Sequence, residues 1–273
     1  MARVGATLAS PTTGTSTALV SFSDHSFRWG LYRGEVDDGL HQVWSDVVGS
    51  QPAPETGAIW LSALLAAAVV LFPATWRLAR HVVTIAHEGA HGVAAMLCGR
   101  RLGGIRLHAD GSGLTVSSGR AAGPGVVVMY AAGYVGPALL GLAAAYLLHR
   151  GHALGVLWVT VLLLTLLLLQ IRNFYGLWAV LVAGAMAFAV SWWASGTVQS
   201  VVAYAGTWFL LLAAPKTVLE LQRLRRRGRA RTSDADMLAR LTRLPGIVWV
   251  GFFLLVDLAA LLLGGRWILA PLA

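Results

Sequence analysis

From Gly57 onward the sequence is a succession of apolar stretches, each about long enough for a helix to cross hydrocarbon, joined by short polar links. They fall at about 57–75, 79–98, 125–149, 153–171, 174–194, 197–215 and 245–265. Backbone polar groups in lipid find no water, so such segments satisfy their own hydrogen bonds and pack as helices. The expected fold is an all-α polytopic membrane protein, a bundle of about six or seven transmembrane helices. Composition agrees: 57% of the residues are hydrophobic, 12% are charged and mean hydropathy is +0.68, outside the range of ordinary soluble domains. Residues 1–55 are polar, rich in Ser, Thr, Gly and Asp, and lack the features of a secretory signal. They are expected to be a disordered tail ahead of one membrane-embedded domain over 56–273. His25 and His41 of that tail have no partners at ligand spacing.

The net charge of +9 sits in a chain too apolar for a nucleic-acid partner; here it orients helices and meets the anionic headgroups of a lipid bilayer. The single cysteine, Cys98, excludes an intrachain disulfide. Arginine supplies nearly every cation, Lys216 being the only lysine, and with abundant Ala, Gly and Leu this suggests a bacterial, GC-rich source.

Two links are long. Residues 99–124 alternate apolar and polar around Ile105–Leu107 and Leu114–Val116, with "HADGSG" between, and predict a small β-hairpin whose turn holds His108 and Asp110. Residues 216–243 carry nine Lys or Arg against three acidic residues, which predicts a cytoplasmic loop. The hairpin loop, with Arg100, Arg101, Arg106 and Arg120, is basic too, and an even number of spans separates the two loops, so both are expected on the cytoplasmic side. One conflict follows: a fully crossing 79–98 helix puts the arginines of "RLARH" at 77–81 outside, and a broken helix would relieve it.

Inside the second stretch stands "TIAHEGAHGV", residues 84–93. Helical positions four apart share a face, so His87 and His91 can present two imidazole nitrogens to one metal ion, with Glu88 beside them. Zinc accepts two histidines and an oxygen ligand and leaves a position for water, whose proton a neighbouring carboxylate can take. With eight His and four Glu in the chain, a chance match to His-Glu-x-x-His has odds of roughly a few in a thousand. Ionisable groups at membrane depth are costly and usually functional.

The chain resembles the site-2 proteases, intramembrane zinc metalloproteases that cut membrane-embedded or membrane-adjacent segments, and looks most like their small bacterial branch. "AHEGAHGVAAMLCGRRLGGIRLHADGSG" at 86–113, "GYVGPALLG" at 133–141, "RNFYG" at 172–176 and "SDADMLARLTRLPGIVW" at 233–249 carry the resemblance. It implies a multi-pass protein of the cell membrane, a Zn2+ ion, and a membrane protein or peptide as substrate; the two basic loops place the active site towards the cytoplasm. It further implies that His87, His91 and a distant aspartate hold zinc, that Glu88 is the general base, and that the loop after the motif helix pairs with substrate as a β-strand. By the resemblance Asn173, though followed by Phe174, Tyr175 and Gly176 with no proline, could donate a hydrogen bond to the substrate carbonyl or its oxyanion; as a helix-end residue it could equally cap its own backbone.

The better-known members carry the third ligand in an Asn-x-x-Pro…Leu-Asp-Gly segment, which is missing here. Asp234 and Asp236 are the acidic residues near the start of the last helix. On a helix capped by Thr232 or Ser233, Asp234 shares a face with Met237, Leu238 and Leu241, and Asp236 with Arg240 and Arg243, so Asp234 is the favoured ligand. The alternative for Asp236 is a surface ion pair with Arg240, and for Asp234 a favourable charge at a helix N-terminus. Gly133, Gly136, Pro137 and Gly141 are expected to serve close helix packing, and Asp257, inside the last span, calls for a partner. The missing segment keeps a second function in view: a non-catalytic scaffold, or pseudoprotease, that binds client transmembrane helices. A transporter would need polar groups through several spans, which this chain does not offer.

Overall fold

Pro73 decides how the first apolar segments are arranged. Helix α1, Thr56–Leu71, stops at Phe72, whose backbone is extended (φ −76°, ψ 126°) because a residue before proline is driven out of the helical region. Pro73 then takes the first position of α2, Pro73–Leu97, where a missing N–H costs nothing. In the computed structural model, which describes residues 38–230 and 232–270, these helices meet at 99°. Lys216 holds the break: its ammonium bonds the Val70 carbonyl at the end of α1 and lies 4.3 Å from the centre of the Trp76 ring. Trp76 Nε1 in turn donates to Glu220 Oε1 at 2.8 Å.

Helix α2 ends in a Schellman arrangement, with Gly99 at φ +69° and the N–H groups of Gly99 and Arg100 donating to the carbonyls of Met96 and Ala95. The chain then turns into β1, Arg101–Leu107, and β2, Gly113–Ser118, paired antiparallel as the expected hairpin. Asp110 Oδ1 accepts from the Ser112 N–H at 2.9 Å and its hydroxyl at 2.7 Å, so Asp110 shapes the turn, and His108 lies beside the same hydroxyl at 3.3 Å. The other edge of β1 is occupied: Ile105 N–H donates to Gln170 O at 2.8 Å and Ile105 O accepts from Arg172 N–H at 2.9 Å. Gly104 permits that approach, since a Cβ there would stand 2.3 Å from Arg172 Cγ.

Six further helices follow: α3 (Pro124–His149), α4 (Ala153–Leu168), α5 (Phe174–Trp193), α6 (Gly196–Arg226), α7 (Asp234–Thr242) and α8 (Gly246–Leu269). Helix α3 is central and packs on α2, α6, α7 and α8. Small residues bring α2 and α3 close: a Cβ on Gly136 would stand 2.2 Å from that of Ala90. Exposed Leu64, Leu162, Trp178, Met186, Leu255 and Leu262 give the outer surface the apolar side chains a lipid environment requires.

The all-α polytopic class and the hairpin hold, and the chain is a multi-pass membrane protein. The span count is lower than expected. Four helices, α3, α5, α6 and α8, are long and apolar enough to cross a membrane, five if the bent α1–α2 pair is one broken span. Helix α4, with 16 residues, is shorter. Helix α6 runs past the expected end at 215, through the internal Pro215, to Arg226, so residues 216–226 of the expected cationic loop are helix. The chain divides into a unit over Met1–Gln42, of which residues 38–42 are described and helical, and a unit over Val43–Ala273. The expected disordered tail otherwise lies outside the described residues up to residue 37. In the second unit, residues 43–48 are helical and residue 51 docks on the α3–α4 turn, its N–H donating to Gly151 O at 2.7 Å.

Candidate metal centre

One turn of α2 separates His87 from His91, and their Nε2 atoms stand 3.1 Å apart. Asp234, the first residue of α7, brings Oδ2 to 3.2 Å from His87 Nε2 and 3.3 Å from His91 Nε2. Donor atoms about 2.0–2.1 Å from a tetrahedral zinc stand about 3.3–3.4 Å from one another, so this triangle is the size of one face of a zinc coordination shell. The outer groups agree with that use. His91 Nδ1 lies 2.7 Å from the Met129 carbonyl; a proton on Nδ1 donates to that oxygen and leaves Nε2 free as a ligand. Asp234 adds the oxygen ligand and the negative charge, its Oδ2 facing both Nε2 atoms. Among the described residues no other cluster of His, Cys, Asp and Glu has metal-binding geometry.

Glu88 is 5% exposed and lies under the hairpin. Its Oε2 accepts from the Thr115 hydroxyl at 2.6 Å, and a Cβ on Gly113 would stand 2.5 Å from its Oε1. Tyr134 of α3 sets its ring edge-on to His87, centroids 4.7 Å apart, and stacks on Phe253 at 5.3 Å. Gly133 makes the room these rings need: a Cβ there would stand 2.4 Å from His91 Nε2 and 2.7 Å from His87 Cε1. Its place is thus at the metal centre, beyond the helix packing expected of it. His87, Glu88, His91, Thr115, Tyr134 and Asp234 open on a cleft of about 710 Å³ between the hairpin and α6–α7, which Arg80, Arg100, Glu220, Leu224 and Met237 also line.

Asp236 sits elsewhere. Its Oδ1 takes a forked pair of hydrogen bonds from Arg225, 2.8 Å from Nη2 and 3.2 Å from Nε, and Ser233 Oγ donates to Oδ2 at 2.6 Å. The expected water-facing residue is instead a clamp between α7 and the end of α6. Asn173 does not cap its own helix. Its amide spans the backbone of Leu107, accepting from the N–H at 3.1 Å and donating to the carbonyl at 2.7 Å, so it anchors β1 and makes no side-chain cap to its own helix. Asp257 is fully buried, and neither carboxylate oxygen has a hydrogen-bond partner. Thr115, Gly113, Gly133, Tyr134 and Met129 are the site residues that sequence reasoning missed as such. A period of two along β2 was the only sign for Thr115.

A multi-pass helical bundle that buries a His-Glu-x-x-His helix and meets it with a carboxylate from another helix has the layout of an intramembrane metallopeptidase. The sequence model of the Peptidase M50B-like family matches residues 60–264, three quarters of the chain. The protein belongs to that family, and so to the site-2 proteases, whose members are zinc metalloproteases. No curated protein and no solved structure matches the chain.

Proposed function

We propose that the protein is an intramembrane zinc endopeptidase that hydrolyses membrane-embedded or membrane-adjacent peptide segments. The observation that carries this is the triangle of His87 Nε2, His91 Nε2 and Asp234 Oδ2 with the Glu88 carboxylate in the same cleft. Zinc held by these three residues would lower the pKa of a water and polarise a peptide carbonyl. Glu88 takes the attacking water's proton and returns it to the leaving amine. Met129 O keeps His91 in the tautomer that ligates, and Asp236–Arg225 keeps α7 placed so that Asp234 reaches the histidines.

A transmembrane helix hides its carbonyls, so substrate has to enter extended. Segment 170–172 already occupies one edge of β1, whereas β2 pairs only with β1 among the described residues, and residues 112–117 line the cleft. Substrate therefore adds as a strand to the outer edge of β2. The basic hairpin and the basic end of α6 flank this one cleft, Arg100 and Leu224 both lining it, which supports an active site towards the cytoplasm. Because Asp234 supplies a third ligand without the family's usual aspartate segment, the ground for a client-binding scaffold weakens.

The test is zinc content and cleavage of a membrane-anchored peptide library by purified wild type and Glu88→Gln. About one zinc per chain in both, with cleavage by wild type alone, is expected. Zinc in both with no cleavage by either would favour the scaffold; no zinc in wild type would overturn the metal centre.

A further inference from the structure

Strand β2 turns alternate residues towards the motif helix: Gly113, Thr115 and Ser117 are half-buried, whereas Leu114, Val116 and Ser118 are exposed. Each end of the inward face is fastened. Thr84 Oγ1 donates to Gly111 O at 2.8 Å, Arg100 Nε donates to Ser117 Oγ at 3.1 Å, and Ser117 Oγ reaches Met129 Sδ at 3.1 Å. Between these ties, Thr115 Oγ1 lies 2.6 Å from Glu88 Oε2 and 3.1 Å from the Glu88 carbonyl oxygen. A hydroxyl has one proton; the shorter contact, to a carboxylate, is the bond it makes. Gly113, without a side chain, leaves the other carboxylate oxygen its room.

Glu88 is an unbranched side chain with several rotamers, so its helix alone does not fix where its carboxylate points. We infer that Thr115 is a positioning residue for Glu88: the strand that receives substrate also aims the catalytic carboxylate. The inference rests on the peptidase reading and adds a link to it. Thr115 spends one lone-pair direction of Oε2 and leaves Oε1 for the proton that is to be taken. A substrate strand that seats on the outer edge of β2 pairs with the same strand that makes this bond, so peptide and base are held in one register. A β2 displaced from α2 leaves Glu88 unaimed.

Full-length protein in detergent micelles, as wild type, Thr115→Val, Thr115→Ser, Glu88→Gln and the double variant Glu88→Gln/Thr115→Val, tests this. Three quantities are read: zinc per chain, the affinity of a peptidyl hydroxamate, and kcat and KM on fluorescein-labelled casein. A hydroxamate gives its proton to the motif carboxylate on binding, so it senses the aim of Glu88 without turnover. Valine keeps the shape of threonine and removes the hydroxyl. A hydrogen bond to a charged group carries about ten- to a hundredfold, so Thr115→Val should weaken the hydroxamate and lower kcat by about that factor, with KM and zinc content unchanged. Thr115→Ser should restore both. The double variant should be no weaker than Glu88→Gln, because threonine acts only through the glutamate. Wild-type hydroxamate affinity in Thr115→Val, or losses that add in the double variant, overturns the positioning role and leaves the peptidase reading standing. A wild type that holds no zinc overturns both.

Discussion

Replacing Gly133 by alanine perturbs the metal centre without touching a ligand. The new Cβ would stand 2.4 Å from His91 Nε2, 2.5 Å from His91 Cε1 and 2.7 Å from His87 Cε1. Nonbonded carbon contacts settle near about 3.5 Å, so the His91 ring has to retreat by about 1 Å. It has little room to do so: His91 is 6% exposed, and its Nδ1 is tied to Met129 O at 2.7 Å. A zinc site tolerates about ±0.2 Å in its ligand distances, so the alanine variant disturbs both histidine ligands, His91 the more. Losing an outer hydrogen bond alone costs about 10–100-fold in metal affinity; displacing a ligand should cost at least about a hundredfold. Competition with a fluorescent chelator in micelles measures this. Gly251→Ala on α8, whose Cβ would meet nothing within 4 Å, is the control and should bind as wild type. A Gly133→Ala dissociation constant within about threefold of wild type would falsify the close fit of α3 against the two histidines.

Asp234→Ala should reduce bound zinc far more than Asp236→Ala, since Asp234 alone reaches both Nε2 atoms; equal loss on chelator titration would reverse the assignment. Asp236 should show its clamp in acid. Burial raises its carboxyl, but hydrogen bonds from Arg225 and Ser233 outweigh burial and leave it below the ordinary value of about 3.9. The clamp's contribution is therefore complete above about pH 4–5 and is lost as pH falls through the lowered value. Limited proteolysis of the α6–α7 link should separate wild type from Asp236→Asn at neutral pH, and the two should converge in strong acid. Asp257→Leu removes a buried carboxyl with no hydrogen-bond partner and should leave stability unchanged or raise it by about 1–3 kcal/mol; a lower thermal midpoint would show that the carboxyl has a stabilising partner.

Much of this site was legible because its chemistry is local. His87, Glu88 and His91 fall within two turns of one helix, and four-residue spacing is enough to place both imidazoles on one face. Asp234 was reachable by the same logic, since the apolar face of α7 had to turn inward and Leu238 is fully buried there. The partner of Asp236 was not legible. Arg225 lies in a stretch whose charge reads as loop, and nothing local shows that α6 runs through Pro215, whose residue is buried where neighbouring helices can compensate the lost hydrogen bond. The bend between α1 and α2 had its sign in Pro73, yet apolarity masked it: hydropathy reports whether a segment suits lipid and carries no direction.

That bend also removes the conflict over the arginines at 77 and 80. With α2 leaving α1 at 99°, these residues need not stand across the membrane from the hairpin; Arg80 lines the same cleft as Glu88, and a Cβ on Gly111 would stand 3.0 Å from its Nε. Thr84 ties the same helix to the hairpin turn, donating to Gly111 O at 2.8 Å. The break is thus part of the site's construction. Pro73 starts a helix in a new direction, Lys216 and Trp76 hold its first turn, and about two and three turns after Arg80 the histidines meet the carboxylate of α7 under a strand fastened to the same helix. Straightening the break by Pro73→Ala should therefore loosen the hairpin as well as the helix. Faster hydrogen exchange at residues 111–117 is the expected sign, and unchanged exchange there would mean that the hairpin is held independently of the break.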